Sequence, residues 1–272
     1  MAKTKLKIVY KKQKPYIICD TNVWYEMSTG NYEKPDGFDL IPTSFSLVEL
    51  SASQAMVEEP KFYQDTIKMI YKNCGPIIPE NPFDYILQNQ FEDYTPQDSK
   101  DLVQMLSAFG DLMNREIKEG STIDNETKQK VIEECQKQRG HSQSLAAIAN
   151  QDLQELRKNI NKGIGKKKHL EIDPSEVNKQ MVISFLNNYT KQTNYKINWN
   201  KFDWSAIELF MIVTEIYFKK LETTKDMKVK GNDIVDWFNI MYVSQGDKYL
   251  TFDNKWRNYI LNDDRIKDYL IT

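Results

Sequence analysis

Histidine is nearly missing from this chain: His141 and His169 are the two in 272 residues, both in polar surroundings. That weighs against a Ser-His-Asp or Cys-His mechanism, which needs an imidazole to carry the proton. It also weighs against a histidine-rich zinc site. Cysteine is scarce as well. Cys19, Cys74 and Cys135 lack zinc spacing and form no even-numbered framework, so they read as reduced thiols of a cytoplasmic protein. Basic excess is absent: 37 Lys and Arg face 39 Asp and Glu, a net charge of −2. Any nucleic-acid contact must then come from a local patch. No uncharged apolar run is long enough to span a bilayer. The basic start, Met1 to Lys14, has no apolar core behind it and does not read as a signal peptide. Chemistry is left to carboxylates, lysines and hydroxyls.

What is present is a hydrophobic fraction of 40 %, enough for a core in one large domain or two small ones. Residues 15–20 predict a short buried strand, with Ile17 and Ile18 between Pro15 and Asp20. Asp20-Thr21-Asn22 can equally cap a helix starting near Val23. Asn31 to Gly37 is rich in turn residues, and residues 39–44 predict a second strand. A helix follows from Ser44 or Ser46 through Leu47, Val48, Leu50 and Ala55, and another from Phe62 to Tyr71. Cys74 to Pro79, with proline at both sides, predicts an edge strand or a strand-to-loop transition.

From about residue 97 to about 225 the pattern is helical. Leu102, Met105, Leu106, Phe109, Leu112 and Met113 share a face. So do Leu145, Ala149, Leu153, Leu156 and Ile160; then Val177, Met181, Phe185 and Tyr189; then Trp204 through Tyr217. Asn159 to Lys168 predicts a mobile separator between two of these helices. The end returns to alternation: a helix over 232–243, a strand over 248–252, a helix over 256–261 and a final strand over 266–271. Strands alternating with helices imply a parallel sheet covered on both faces, with the helical stretch inserted at one side. The organisation expected is residues 1–96 and 229–272 forming one α/β domain and 97–228 an all-helical insertion.

The candidate chemistry lies in acids at the ends of apolar elements: Asp20, Glu49, Asp233, Asp236 and Asp253. Each alone has an ordinary explanation. Asp20 suits an N-cap, Glu49 a surface, and Asp253 a turn. Asp233 and Asp236, three apart, suit the start of a helix, where the dipole favours acids. The joint pattern is less ordinary. In an open α/β sheet the ligand crevice lies at the carboxyl ends of the strands, and helices that follow strands begin at the same crevice. Acids gathered there repel unless a cation sits among them, and an all-oxygen site suits Mg²⁺ or Mn²⁺.

The segments carrying these acids resemble the PIN-domain family of metal-dependent ribonucleases. Ile17-Ile18-Cys19-Asp20-Thr21-Asn22-Val23-Trp24 is similar to that family's opening strand and first acid. In Thr43-Ser44-Phe45-Ser46-Leu47-Val48-Glu49-Leu50, Glu49 stands in the place of the second acid. Asn232-Asp233-Ile234-Val235-Asp236-Trp237, then Thr251-Phe252-Asp253, resembles larger bacterial members, with an Asn-Asp-x-x-Asp helix start and a Thr-x-Asp strand end. The central helices match nothing in that family. Haloacid-dehalogenase phosphatases also open on a strand ending in aspartate, but they need a second aspartate where this chain has Asn22. Adhesion-type Asp-x-Ser-x-Ser sites are excluded by Asn22 and Trp24.

The resemblance implies a PIN-like three-layer α/β/α fold with a central parallel sheet, and metal-dependent endoribonuclease activity. Asp20 would be the central ligand, with Asp236 and Asp253 as direct or water-mediated ligands. Glu49 and Asp233 would orient water, and Asn22 or Thr251 would hydrogen-bond a ligand carboxylate. The implied cofactor is Mg²⁺ or Mn²⁺. RNA is the expected partner. The alternatives are a DNA-directed nuclease, for example in phage defence, and a catalytically silent scaffold that binds RNA or protein. An antitoxin-like or regulatory protein is a further partner by family analogy; a second copy of the chain is another, and no membrane is expected. Lys162, Lys166, Lys167 and Lys168, interleaved with Gly163 and Gly165, either grip a phosphate backbone or form a solvated connection. Lys5, Lys7, Lys11, Lys12 and Lys14 carry the same ambiguity. Tyr16, Trp24, Tyr25, Trp237 and Trp256 either stack bases or belong to the core.

Overall fold

The computed structural model describes residues 15–96, 100–164, 174–224 and 226–272. Strand β1 (Ile17–Cys19) runs into helix α1 (Thr21–Ser28) through Asp20, whose carboxylate accepts from the Thr21 amide at 2.7 Å. Strand β2 (Leu40–Pro42) leads into α2 (Ser44–Ser51). Thr43 and Ser46 cap α2 reciprocally, each side chain bonding the other's backbone amide. The helix predicted to reach Ala55 breaks after Ser51, and α3 (Ala55–Glu58) and α4 (Pro60–Asn73) follow. Helix α5 (Pro82–Gln90) was not expected. Its signal is plain in retrospect: Asn81 caps it through the Phe83 and Asp84 amides, both at 3.0 Å, and Pro82 opens it.

Four long helices come next: α6 (Lys100–Met113), α7 (Asn125–Ile164), α8 (Pro174–Thr190) and α9 (Glu208–Thr223). Short 3₁₀ turns at Trp199–Lys201 and Trp204–Ile207 precede α9. Then α10 (Gly231–Ile240), β3 (Lys248–Leu250) and α11 (Asn254–Leu261) complete the expected alternation. The end of the chain departs from expectation. Instead of a final strand over 266–271 there is a 3₁₀ turn, Lys267–Tyr269, and a single parallel bridge from Leu270 to Tyr249. Cys74 and Ile78 make similar single bridges beyond β2, consistent with their proline-bounded segment.

The sheet is parallel, with β1 in the middle of the order β2-β1-β3. Ile18 stands between Ile41 and Tyr249, and Cys19 between Pro42 and Leu250. Side-chain alternation splits the core in two. Ile18, Ile41 and Tyr249 face a cluster that includes Val213 and Tyr217 of α9, Ile234 and Trp237 of α10 and Trp256 of α11. Ile17, Cys19, Leu40 and Leu250 face Val23, Trp24, Leu47, Tyr63, Ile67 and Leu106. Helices thus cover both faces of a small sheet, an α/β architecture in which helix predominates. Among the described residues no helix is long and apolar enough to cross a membrane. None of the three cysteines is in a disulfide.

Two helical expectations need correction. The backbone over 159–164 is helical and ends α7, so Lys162 lies on that helix rather than in a connection. Lys166, Lys167 and Lys168, like Lys5, Lys7, Lys11, Lys12 and Lys14, lie outside the described residues. In α8 the helix is right but its phase is not: Asn178, Val182, Leu186 and Thr190 are buried, whereas Val177 and Phe185 are exposed at 45 % and 41 %. An apolar stripe broad enough to include both rows leaves the inward direction undecided until the helix packs.

Candidate carboxylate centre

Asp20 is buried at the end of the central strand. Its backbone amide donates to the Leu250 carbonyl at 3.0 Å, so the ends of β1 and β3 are locked side by side. Thr251 donates its hydroxyl to Asp20 Oδ2 at 2.7 Å. That hydroxyl also accepts from the Asp253 amide at 3.1 Å, which fixes the turn carrying Asp253. Asn22 Oδ1 accepts from the Phe252 amide at 3.1 Å, and among the described residues it has no bond to a carboxylate. Asp253 caps α11 through the Lys255 and Trp256 amides at 2.7 and 3.2 Å.

Glu49 arrives from α2 and accepts a hydrogen bond from the hydroxyl of Thr21, beside Asp20. Asp236 arrives from α10 and accepts from Trp256 Nε1 at 2.7 Å. The charges of these groups act on one another. Burial pushes the Asp20 carboxyl up, opposed by its bonds to Thr251 and Thr21, and Asp253 pushes it up further. Asp236 is pushed up to about 8, first by burial and then by the charge of Asp20, with a smaller contribution from Glu49. Glu49 is pushed up to about 7 by burial and by Asp20, against its bond from Thr21. Asp20, Glu49, Asp236 and Asp253 therefore form one electrostatic group drawn from four elements. Asp20 is buried, and the other three are half-buried and reach solvent.

Asp233 has a different setting. Its Oδ2 accepts from Tyr217 at 2.7 Å and from the Lys230 amide at 3.0 Å, closing the start of α10. Its Oδ1 pairs with Lys255. Lys255 also lies 3.9 Å from the Trp256 ring centre and 5.4 Å from that of Tyr217.

Several contributors were not assigned to the site from the sequence. Thr21 and Trp256 hold Glu49 and Asp236. Asn239 is fully buried, with Oδ1 accepting from Thr43 at 2.6 Å and Nδ2 without a partner. That amide nevertheless favours the anion of Asp20. Asn239 lies one turn beyond Asp236 on α10, and its helical spacing was the available signal. Of the five aromatics read as stacking or core, Tyr16, Trp24, Trp237 and Trp256 belong to the core. Tyr25 is half-buried, donating to Ser53 at 3.0 Å and stacked on Phe62.

An all-carboxylate oxygen set suits Mg²⁺ or Mn²⁺. The upward push on Asp20, Glu49 and Asp236, from burial and then from carboxylate neighbours, also fits a site whose missing charge is positive. Among the described residues no three His, Cys, Asp or Glu side chains are already arranged to share one ion. An ion held here would need these side chains arranged differently. Comparison with known families, curated proteins and solved structures gives no match.

Proposed function

We propose that this protein is a metal-dependent phosphodiesterase, a PIN-like endoribonuclease. The observation that carries the reading is the meeting of Asp20, Glu49, Asp236 and Asp253 at the carboxyl ends of β1 and β3. That is where an open parallel sheet places its ligand crevice. Asp20, Glu49 and Asp236, raised by burial and then by neighbouring carboxylate charge, are costly to keep unless they serve a cation.

Asp20, Asp236 and Asp253 would hold Mg²⁺ or Mn²⁺, which when bound supplies charge neutralisation at the phosphate and a more acidic water. The protein's own side chains set the geometry. Thr251 and Thr21 fix the Asp20 carboxylate and the Asn239 amide supports its anion. Trp256 aims Asp236. Thr21 holds Glu49 at the edge of the group, where it orients the attacking water. Asp233, committed to Lys255, acts by fixing α10 rather than by touching substrate.

The test is incubation of labelled single-stranded RNA and DNA with the parent and with Asp20→Asn, in Mg²⁺, in Mn²⁺ and in chelator. The expected result is metal-dependent cleavage of RNA by the parent, lost in the variant. Cleavage of DNA alone would replace the substrate, and absence of cleavage in every metal would remove the reading.

A further inference from the structure

Helix α7 does not stay at the side of the sheet. Cys135 is buried, and its sulfur acts on Tyr63 of α4. Ser142 and Gln143 pack against the first residue of α10: a Cβ on Gly231 would lie 3.2 Å from Ser142 Oγ and 3.3 Å from Gln143 Cγ. Ala146 is buried. Asn150 exchanges hydrogen bonds with the Val229 backbone, both at 2.8 Å. Residues 135, 142, 143, 146 and 150 recur at helical spacing and form one face. Helix α7 packs on α3, which follows the helix bearing Glu49, and on α10, which bears Asp236.

Arg139 sits on this face, one turn after Cys135 and one turn before Ser142 and Gln143. It is exposed, and its charge reaches Glu49 and the Tyr25 hydroxyl. Among the described residues, Lys255 acts on Asp236 and Arg139 on Glu49. Lys255 is already paired with Asp233 and laid on two aromatic rings. Arg139 is exposed, and among the described residues its guanidinium has no hydrogen-bond or ion-pair partner, which leaves donors available to a ligand.

We propose that Arg139 is a substrate-binding residue that takes a backbone phosphate of single-stranded RNA as the strand crosses the solvent-facing side of the carboxylates. The inference rests on the hydrolase reading for the identity of the substrate. A phosphodiester approaching four acids meets repulsion, and a planar guanidinium beside Glu49 offsets it with paired donors matched to phosphate oxygens. Helix α7 thereby acquires a role: it carries a cation from an otherwise unexplained segment to the mouth of the site.

The test is binding of a fluorescent single-stranded RNA to the full chain over a range of salt. Ca²⁺ replaces Mn²⁺, since Ca²⁺ occupies oxygen sites with looser geometry. Arg139→Ala, Arg139→Lys and the control Lys130→Ala are compared with the parent. Arg139→Ala is expected to weaken binding about tenfold and to reduce the salt slope by about 0.7, the value of one phosphate contact on a single strand. Arg139→Lys should keep the slope and lose part of the affinity, because the charge remains but the fork does not. Lys130→Ala should match the parent. Equal affinity and slope for Arg139→Ala and the parent overturn the proposal, as does a parent that does not bind.

A Mn²⁺ melting shift, measured separately on the same proteins, judges the hydrolase reading. RNA binding that depends on Arg139 without any Mn²⁺ shift would keep this inference and discard that one.

Discussion

Thr251 and Asp20 are 231 positions apart, and the threonine hydroxyl lies 2.7 Å from the aspartate Oδ2. This bond joins the ends of β3 and β1 and leaves the other Asp20 oxygen on the Thr21 amide. A carboxylate held this way is pre-oriented, and partners of that kind are worth about 10–100-fold in metal affinity. Thr251→Val keeps the shape and removes the donor. Its midpoint in a Mn²⁺ titration, followed by melting temperature, is expected to rise at least about tenfold. An unchanged midpoint would show that Thr251 does not serve the carboxylate group.

Asp236 gives a prediction with a definite sign. Its folded-state value, about 8, lies well above an ordinary aspartate near 3.9. Between those values the folded protein binds more protons than the unfolded chain, so stability falls as pH rises through the window. In chelator, Asp236→Asn should melt above the parent at pH 8.5, and the gap should shrink towards pH 5. Mn²⁺ should raise the parent and leave the variant nearly unmoved. Equal Mn²⁺ shifts in the two proteins would rule out Asp236 as a ligand.

Glu80 provides the same test away from the carboxylate group. It is buried ahead of α5, its Oε1 has no partner, and burial and the charge of Asp84 push it up to about 7. Its contribution is most favourable below the ordinary glutamate value and is lost as pH rises through about 7. Glu80→Gln should flatten the decline in melting temperature between pH 5 and 8. A decline as steep as the parent's would mean that the side chain reaches solvent.

Helix α8 tests the packing. Leu186 is fully buried, whereas its neighbour Phe185 is 41 % exposed. Leu186→Ala is expected to cost about 2–5 kcal/mol, and Phe185→Ala to stay within about 0.5 kcal/mol, measured by urea denaturation. A larger loss from Phe185 would restore the phase predicted from the sequence.

Much of the fold was legible because it is locally encoded. Ile17-Ile18-Cys19 followed by Asp20 announces both a buried strand and a helix cap, and the structure uses both. The alternation at the end of the chain is read equally well as far as α11. Beyond it, residues 266–271 carry apolar side chains suited to a strand, but a 3₁₀ turn leaves only Leu270 bridged to Tyr249. Helix α5 was missed because its apolar content is modest and its signal lies in the cap, Asn81-Pro82.

By itself the sequence determined where strands stop on acids and which helices those acids begin, because capping and periodicity act over a few residues. Tertiary structure alone decided which acids share a field. Asp233 and Asp236 stand three apart on one helix, yet Lys255 and Tyr217 claim the first while Asp20 and Trp256 face the second. It alone carried α7 past Glu49, bringing Arg139 there. The physical reason is that a side chain's partners are supplied by packing between distant segments, and no spacing within one element contains that information.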